Sequence, residues 1–235
     1  YFGGLLPEAF NRDLIARNIG ITAENDYAML KVIGGECAGA VTILDPEQEI
    51  TVREHSYHPI SMEALETILH TLPNKPLLAG EAEVRLSLAG AQNKLAIYHD
   101  KDGFALPLHE SPSSHILKPE VKGFPGLVEN EATCMDLARK AGLPAATVEP
   151  IQVGPHRCLM VERYDRTREG SGLRRLHQED FCQAMGIVSR YKYQNEGGPT
   201  LEQCFQLIRK ASSRPARDLV ALFEAAIFNY LIGNN

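Results

Sequence analysis

No run in this 235-residue chain approaches the roughly 18 uninterrupted apolar residues that a helix needs to cross a bilayer. No Cys-x-x-Cys occurs either. The five cysteines, Cys37, Cys134, Cys158, Cys182 and Cys204, are odd in number and widely spread, so neither a disulfide framework nor a zinc site is indicated. Cys134, Cys158 and Cys182 sit among apolar residues and read as small hydrophobes. A reducing, cytoplasmic compartment is the default that follows. The eight histidines lack metal-ligand spacing; His55 and His58 are three apart but lie in what reads as a polar loop ending at Pro59. Acidic residues outnumber basic ones, 30 to 24. A formal net charge of −6 argues against the chain coating nucleic acid by itself. The opening Tyr1-Phe2-Gly3-Gly4 has no basic region of a secretory leader, and a start at Tyr rather than Met is what a fragment or trimmed product would show. No internal repeat or low-complexity tract is visible.

Apolar residues make up 44% and charged residues 23%, an ordinary composition for a soluble globular protein. The length suits one large domain or two small ones, enough to bury a core. Residues 1–45 read as mostly helical. Asn11 would cap a helix over 12–18, and Asn25 or Asp26 one over 27–33 that stops at Gly34-Gly35. Ala40-Val41-Thr42-Ile43-Leu44 reads as a short strand. A charged connection follows, then an amphipathic helix near 61–72 capped by Ser61. Pro73, Asn74 and Pro76 place a boundary near 75–80. Strands are expected at 82–88, 94–99, 103–107, 114–118, 146–152 and 157–162, with one helix over 127–140 closed by Gly142. From about 177 helices dominate, at 178–186, 200–210 and 215–233. A strand-rich lobe followed by a helical one is an α+β arrangement. The divisions are then 1–78, 79–165 and 166–235. The basic group Arg163, Arg166, Arg168, Arg174 and Arg175 reads first as solvated surface, with a nucleic-acid patch as the other reading.

The stretch from Val84 to Ile97 reads as strand, small-residue loop, strand. Val84, Leu86 and Leu88 alternate with Arg85 and Ser87, and Leu95 and Ile97 resume the alternation. A Walker-type loop would feed a helix and read Gly-x-x-x-x-Gly-Lys-Ser/Thr, which this does not. Small residues between two strands suit a lid whose backbone must lie close over a triphosphate; an ordinary hairpin turn is the alternative. Lys118 ends the run His115-Ile116-Leu117-Lys118, either as an edge lysine or as a cation aimed at an anion. Glu131 favours the second. With Val128 at i−3 and Met135 at i+4 it falls within an apolar stripe, and a carboxylate there needs a partner. Lys118 is the natural candidate, and a solvated Glu131 at the stripe's edge is the other. The segment from Cys158 to Arg166 leaves an apolar strand at the lobe junction, where backbone groups could meet an adenine edge with Tyr164 flanking the base.

Taken together and in order, several pieces resemble the HipA-like serine/threonine protein kinases, the toxin half of bacterial type II toxin–antitoxin pairs. They are Phe2-Gly3-Gly4-Leu5-Leu6-Pro7-Glu8, Gly39-Ala40-Val41, Ser87-Leu88-Ala89-Gly90-Ala91-Gln92-Asn93-Lys94, His115-Ile116-Leu117-Lys118, Asn130-Glu131, Val161-Glu162-Arg163-Tyr164-Asp165-Arg166 and Gln178-Glu179-Asp180-Phe181-Cys182-Gln183. The resemblance implies a two-lobed kinase-like fold with a small N-terminal subdomain. It implies ATP and Mg²⁺ as cofactors. Ala89, Gly90, Ala91, Gln92, Asn93 and Lys94 would cover the phosphates, Lys118 would contact them, and Glu131 would position Lys118. Glu162, Arg163 and Tyr164 would form the adenine hinge. Ser87 matches a loop serine that family members phosphorylate on themselves, which ejects the loop. Family substrates include an aminoacyl-tRNA synthetase, and the partner is a DNA-binding antitoxin of the HipB type, so DNA would be met only through the antitoxin.

After Asn229-Tyr230-Leu231-Ile232-Gly233-Asn234-Asn235 the family pattern continues into the catalytic Asp and the metal-binding Asn, with a second metal-binding Asp beyond. None of these is in this sequence. The expectation is a kinase fragment that does not transfer phosphate. Alternatives are a non-catalytic module that binds an antitoxin or nucleotide, and a small-molecule kinase of similar fold.

Overall fold

The computed structural model describes residues 1–45, 55–170 and 172–234. Helix α1 (Ala9–Ile19) and α2 (Asp26–Ile33) come first, then strand β1 (Tyr57–Ile60) and α3 (Met62–Thr71). Strands β2 (Leu95–Asp100), β3 (Gly103–Pro107) and β4 (His115–Pro119) lead to α4 (Leu127–Lys140). Then come β5 (Val148–Val153), β6 (His156–Glu162) and a two-stranded hairpin of β7 (Arg166–Glu169) and β8 (Gly172–Arg175). Helices α5 (Phe181–Met185), α6 (Leu201–Ala211) and α7 (Pro215–Leu231) end the chain. No helix among the described residues is long and apolar enough to cross a membrane.

Six strands form one antiparallel sheet in the order β1-β3-β2-β4-β6-β5. Its central strands carry the apolar alternation into a core that holds Leu95, Ile97, Leu117 and Cys158. That core is continuous with Leu5, Ile15, Met29, Ile33, Leu65, Leu69 and Leu78, so it does not divide at residues 75–80. Local capping chemistry explains most helix starts. Asn25 accepts from the Ala28 N–H, Ser61 from Ala64, and Asp180 and Thr200 each form a reciprocal capping box with a Gln three residues on.

Several elements differ from the sequence expectations. Ala82 and Glu83 form a turn, and residues 84–88 continue from it without joining a sheet: they meet the N-terminal segment through an isolated parallel bridge from Leu86 to Glu36. The Ala40-Val41-Thr42-Ile43-Leu44 run is irregular, because Arg85 claims the Ile43 carbonyl together with those of Lys31 and Val32. Helix α1 begins two residues before Asn11, so Asn11 is interior and buried rather than a cap. His58 lies on β1, an edge strand that tolerates Pro59, rather than in a loop. The basic group holds the hairpin of β7 and β8, which period-2 reading cannot find in Arg-Thr-Arg-Glu and Gly-Leu-Arg-Arg.

Candidate nucleotide site

Strand β4 and helix α4 bring together the two residues that the apolar stripe singled out. Lys118 Nζ donates to Glu131 Oε1 at 2.5 Å, and the two side chains keep 24% and 25% of their surface exposed. Helix α4 is anchored by Val128, buried against Leu159 and Val161, which turns the next turn's Glu131 toward the sheet. An ammonium has three N–H bonds. Only Glu131 takes one from Lys118 among the described residues.

Residues 89–94 connect the extended segment to β2, and no helix springs from Lys94. Gly90 has φ +104°, a conformation that favours glycine, and a Cβ there would lie 2.6 Å from Lys94 Nζ and displace that side chain's end. Lys94 Nζ donates back to the Ala89 carbonyl at 2.5 Å. Burial and then the Lys118 charge pull the Lys94 ammonium down to about 8. Gln92 Nε2 reaches the Pro119 carbonyl at 3.4 Å, next to Lys118. Loop and lysine therefore form one electropositive corner. Asn93 Oδ1 is buried there without a partner among the described residues. Ser87 is fully buried, and its hydroxyl donates to the Leu5 carbonyl at 2.8 Å.

At the lobe junction the Glu162 N–H is taken by Thr147 and the Arg163 N–H by Ser114, whereas the Tyr164 N–H has no partner among the described residues. Tyr164 is 71% exposed, its hydroxyl on Gln178. The Arg163 side chain is spent elsewhere. Its guanidinium makes a two-pronged pair with Asp165 at 2.9 and 2.7 Å and reaches Glu36 at 3.1 Å. Arg166 also grips Glu36, at 2.7 Å, and Arg175 donates twice to its other oxygen, at 2.9 and 2.6 Å. The Ser113 N–H and hydroxyl complete the set, both at 2.8 Å. Burial by itself would raise the Glu36 carboxyl, but Arg163, Arg175 and Arg166 overcome it and hold the group below its ordinary value. Three of the five arginines expected at the surface are thus locked inside, and only Arg168 and Arg174 remain exposed.

Glu36 is the residue that the sequence reading missed. A lone carboxylate within Ile33-Gly34-Gly35-Glu36-Cys37-Ala38-Gly39 was the available signal, since an acid in a run of small and apolar residues needs a partner. Gly39 belongs to the same knot. Its N–H donates to Asp165 at 2.7 Å and its carbonyl accepts from Arg166 at 2.9 Å, which ties the N-terminal segment to the junction.

Residues 86–235 match the model of the HipA-like C-terminal domain, and residues 1–44 that of the HipA N-terminal domain. The chain belongs to the HipA-like kinase family. A Sinorhizobium fredii relative named "Putative kinase Y4mE" is 45% identical over the whole chain, which covers 57% of that protein. The serine/threonine-protein kinase toxin HipA of Shewanella oneidensis is 30% identical over 98% of the chain and 55% of its own length. A solved structure of the Shewanella oneidensis HipA, HipB and operator DNA complex superposes with a TM-score of 0.76 at 27% identity, covering 99% of this chain and 57% of that one. The HipA-like chain therefore has a kinase-like α+β fold and spans a little over half the length of these relatives. Within that fold, Lys118 on β4 pairs with Glu131 on α4, whereas the loop before β2 follows a segment docked on the N-terminal residues rather than the second strand that the alternation suggests.

Proposed function

We propose that this chain is the nucleotide-binding part of a HipA-like serine/threonine protein kinase toxin. The parent protein would transfer the ATP γ-phosphate to a protein of the translation machinery, an aminoacyl-tRNA synthetase by family resemblance, and so arrest growth in the cytoplasm. One observation carries the reading: Lys118 is held by Glu131 next to a glycine loop, with two N–H bonds unspent among the described residues. The residues suit ATP. Lys94 and Lys118 offer positive charge to a triphosphate, the Gly90 backbone permits close approach, and the Tyr164 N–H, unpartnered among the described residues, suits an adenine ring nitrogen. No group of three or more His, Cys, Asp or Glu that could hold a metal occurs among the described residues, and no residue here is assigned to Mg²⁺. Binding without transfer is the role we give these 235 residues.

A DNA-binding antitoxin of the HipB type is the proposed partner, supported by the likeness to the Shewanella oneidensis HipA in its complex with HipB and operator DNA. The net charge of −6 fits contact with DNA through that partner rather than directly. Ser87 is the proposed self-modification site. A phosphoryl group there would bring about two negative charges into a fully buried position and remove the proton that Leu5 accepts, so the modified loop could not stay in place. The test is ATP-dependent labelling of the longer protein. Lys118→Met should abolish it, and exposed Lys101→Met should not. Equal labelling of all three proteins would end the proposal.

A further inference from the structure

Residues 1–11 touch the loop and the helical lobe at once, with Glu8 making contacts on both sides. On the loop side, Ser87 Oγ donates to the Leu5 carbonyl at 2.8 Å, the Glu8 N–H to the Gly90 carbonyl at 3.4 Å, and Asn11 Nδ2 to the Ala91 carbonyl at 2.8 Å. Pro7 and Gly90 form an isolated parallel bridge. On the other side, the Glu8 carboxylate accepts from Lys192 Nζ at 2.5 Å, and Gln183 of α5 donates to the Tyr1 carbonyl at 3.5 Å. Gly4 packs so closely that a Cβ would lie 3.0 Å from Gln183 Cγ. Asn11 is the telling residue. Asparagine is a poor helix former and is ordinarily exposed, yet this one is in the first turns of α1, 6% exposed, with its amide given to the loop.

We propose that residues 5–11 are a latch that couples the helical lobe to the nucleotide loop, with Asn11 as the positioning residue that holds residues 87–91 closed. The functional meaning rests on the reading of residues 89–94 as the nucleotide cover; the latch contacts themselves do not. On the N-terminal side the loop is held by a few single hydrogen bonds, one of them from a buried amide, and small displacements of that segment can release it. Movement of the helical lobe is transmitted through Lys192 and Glu8. The same contacts decide whether Ser87 can leave its burial site, so loop closure and access to that hydroxyl are opposite states of one device.

Hydrogen exchange on the full chain tests this. In Asn11→Leu, amides in the peptide spanning residues 87–94 should exchange about five- to tenfold faster, the effect of losing one buried hydrogen bond. The β2 peptide over 95–99 should be unchanged. Asn18→Ala is the control, because its amide on the same helix serves Asn74 instead. Unchanged loop exchange in Asn11→Leu with an intact β2 overturns the latch. If β2 also loosens, the surface variant Lys192→Met decides: a rise of twofold or more confined to 87–94 supports the latch, and no rise overturns it. Adding adenylyl imidodiphosphate to the unsubstituted chain separates the two proposals. Should the analogue leave loop exchange untouched while Asn11→Leu accelerates it, the latch stands and the nucleotide reading falls.

Discussion

Glu36 and Lys118 anchor two charge clusters that the same chain builds for opposite ends. Around Glu36 every carboxylate lone pair has a donor: Ser113 twice, Arg163 and Arg166 on one oxygen, Arg175 twice on the other. Glu36 is 0% exposed, and the Arg163 and Arg166 side chains 2%. Nothing is left over for a ligand. Lys118 is a quarter exposed, spends one N–H on Glu131 and faces a second ammonium, Lys94, whose charge is already disfavoured. A saturated buried cluster specifies how segments dock, whereas an unsaturated half-buried one can take an anion. Perturbed charge alone does not mark a functional site. Unspent hydrogen-bonding capacity beside a permissive backbone does.

The largest effect should come from the saturated cluster. Glu36→Gln removes the carboxylate that three guanidiniums share, leaving Asp165 alone to balance Arg163 and Arg166, and should cost about 3–5 kcal/mol, read from a denaturant titration. The pH dependence has a fixed sign. The folded carboxyl is held below its ordinary 4.5, so its stabilisation is complete above that value and is lost as pH falls through it toward the folded value. The gap between the parent chain and Glu36→Gln should narrow over that acid window. A gap that widens on acidification would contradict the network.

Lys118→Met should act the other way round. It should weaken a triphosphate by about 1.5–3 kcal/mol, roughly ten- to hundredfold by calorimetry, while changing stability by less than about 1 kcal/mol. A stability loss as large as that of Glu36→Gln would erase the distinction between the clusters. Next in size is a pH effect. Lys94 titrates near 8 in the free chain and an anion favours its protonated form, so affinity should fall as pH rises through 8, by at most about tenfold per pH unit. Lys94→Met should flatten that profile. Smallest is Glu131→Gln, which should lower affinity only a few-fold, because the lost pair is partly solvated and worth about 1 kcal/mol or less.

The elements that could be read along the chain are those whose signal is local. Asn25, Ser61 and the apolar stripe of α4 announce themselves within a few residues, and so does the alternation of β2, β4 and β6. Glu131 was legible for the same reason: a carboxylate at i+3 from buried Val128 has few options. The extended segment at 84–88 deceived because its alternation is real, but its neighbour is the N-terminal segment rather than β2. Ser87, placed on its polar side, is buried against Leu5. Asn11 looked like a cap because Asn usually is one. Its true partner, Ala91, lies 80 residues away. Arginines 163, 166 and 175 looked like surface because their counter-ion is more than 120 residues distant in sequence.

Sequence by itself determined the α+β order of elements and the family, and named residue 118 as the candidate partner of residue 131. Each of these depends on neighbours within one turn or one strand, or on a motif that survives as a string. Tertiary structure alone decided that the arginine group is a buried knot on Glu36 and that α1 reaches over to hold the loop. Those outcomes depend on which distant segments meet, and a charge declares its role only when burial has removed the water that would otherwise solvate it.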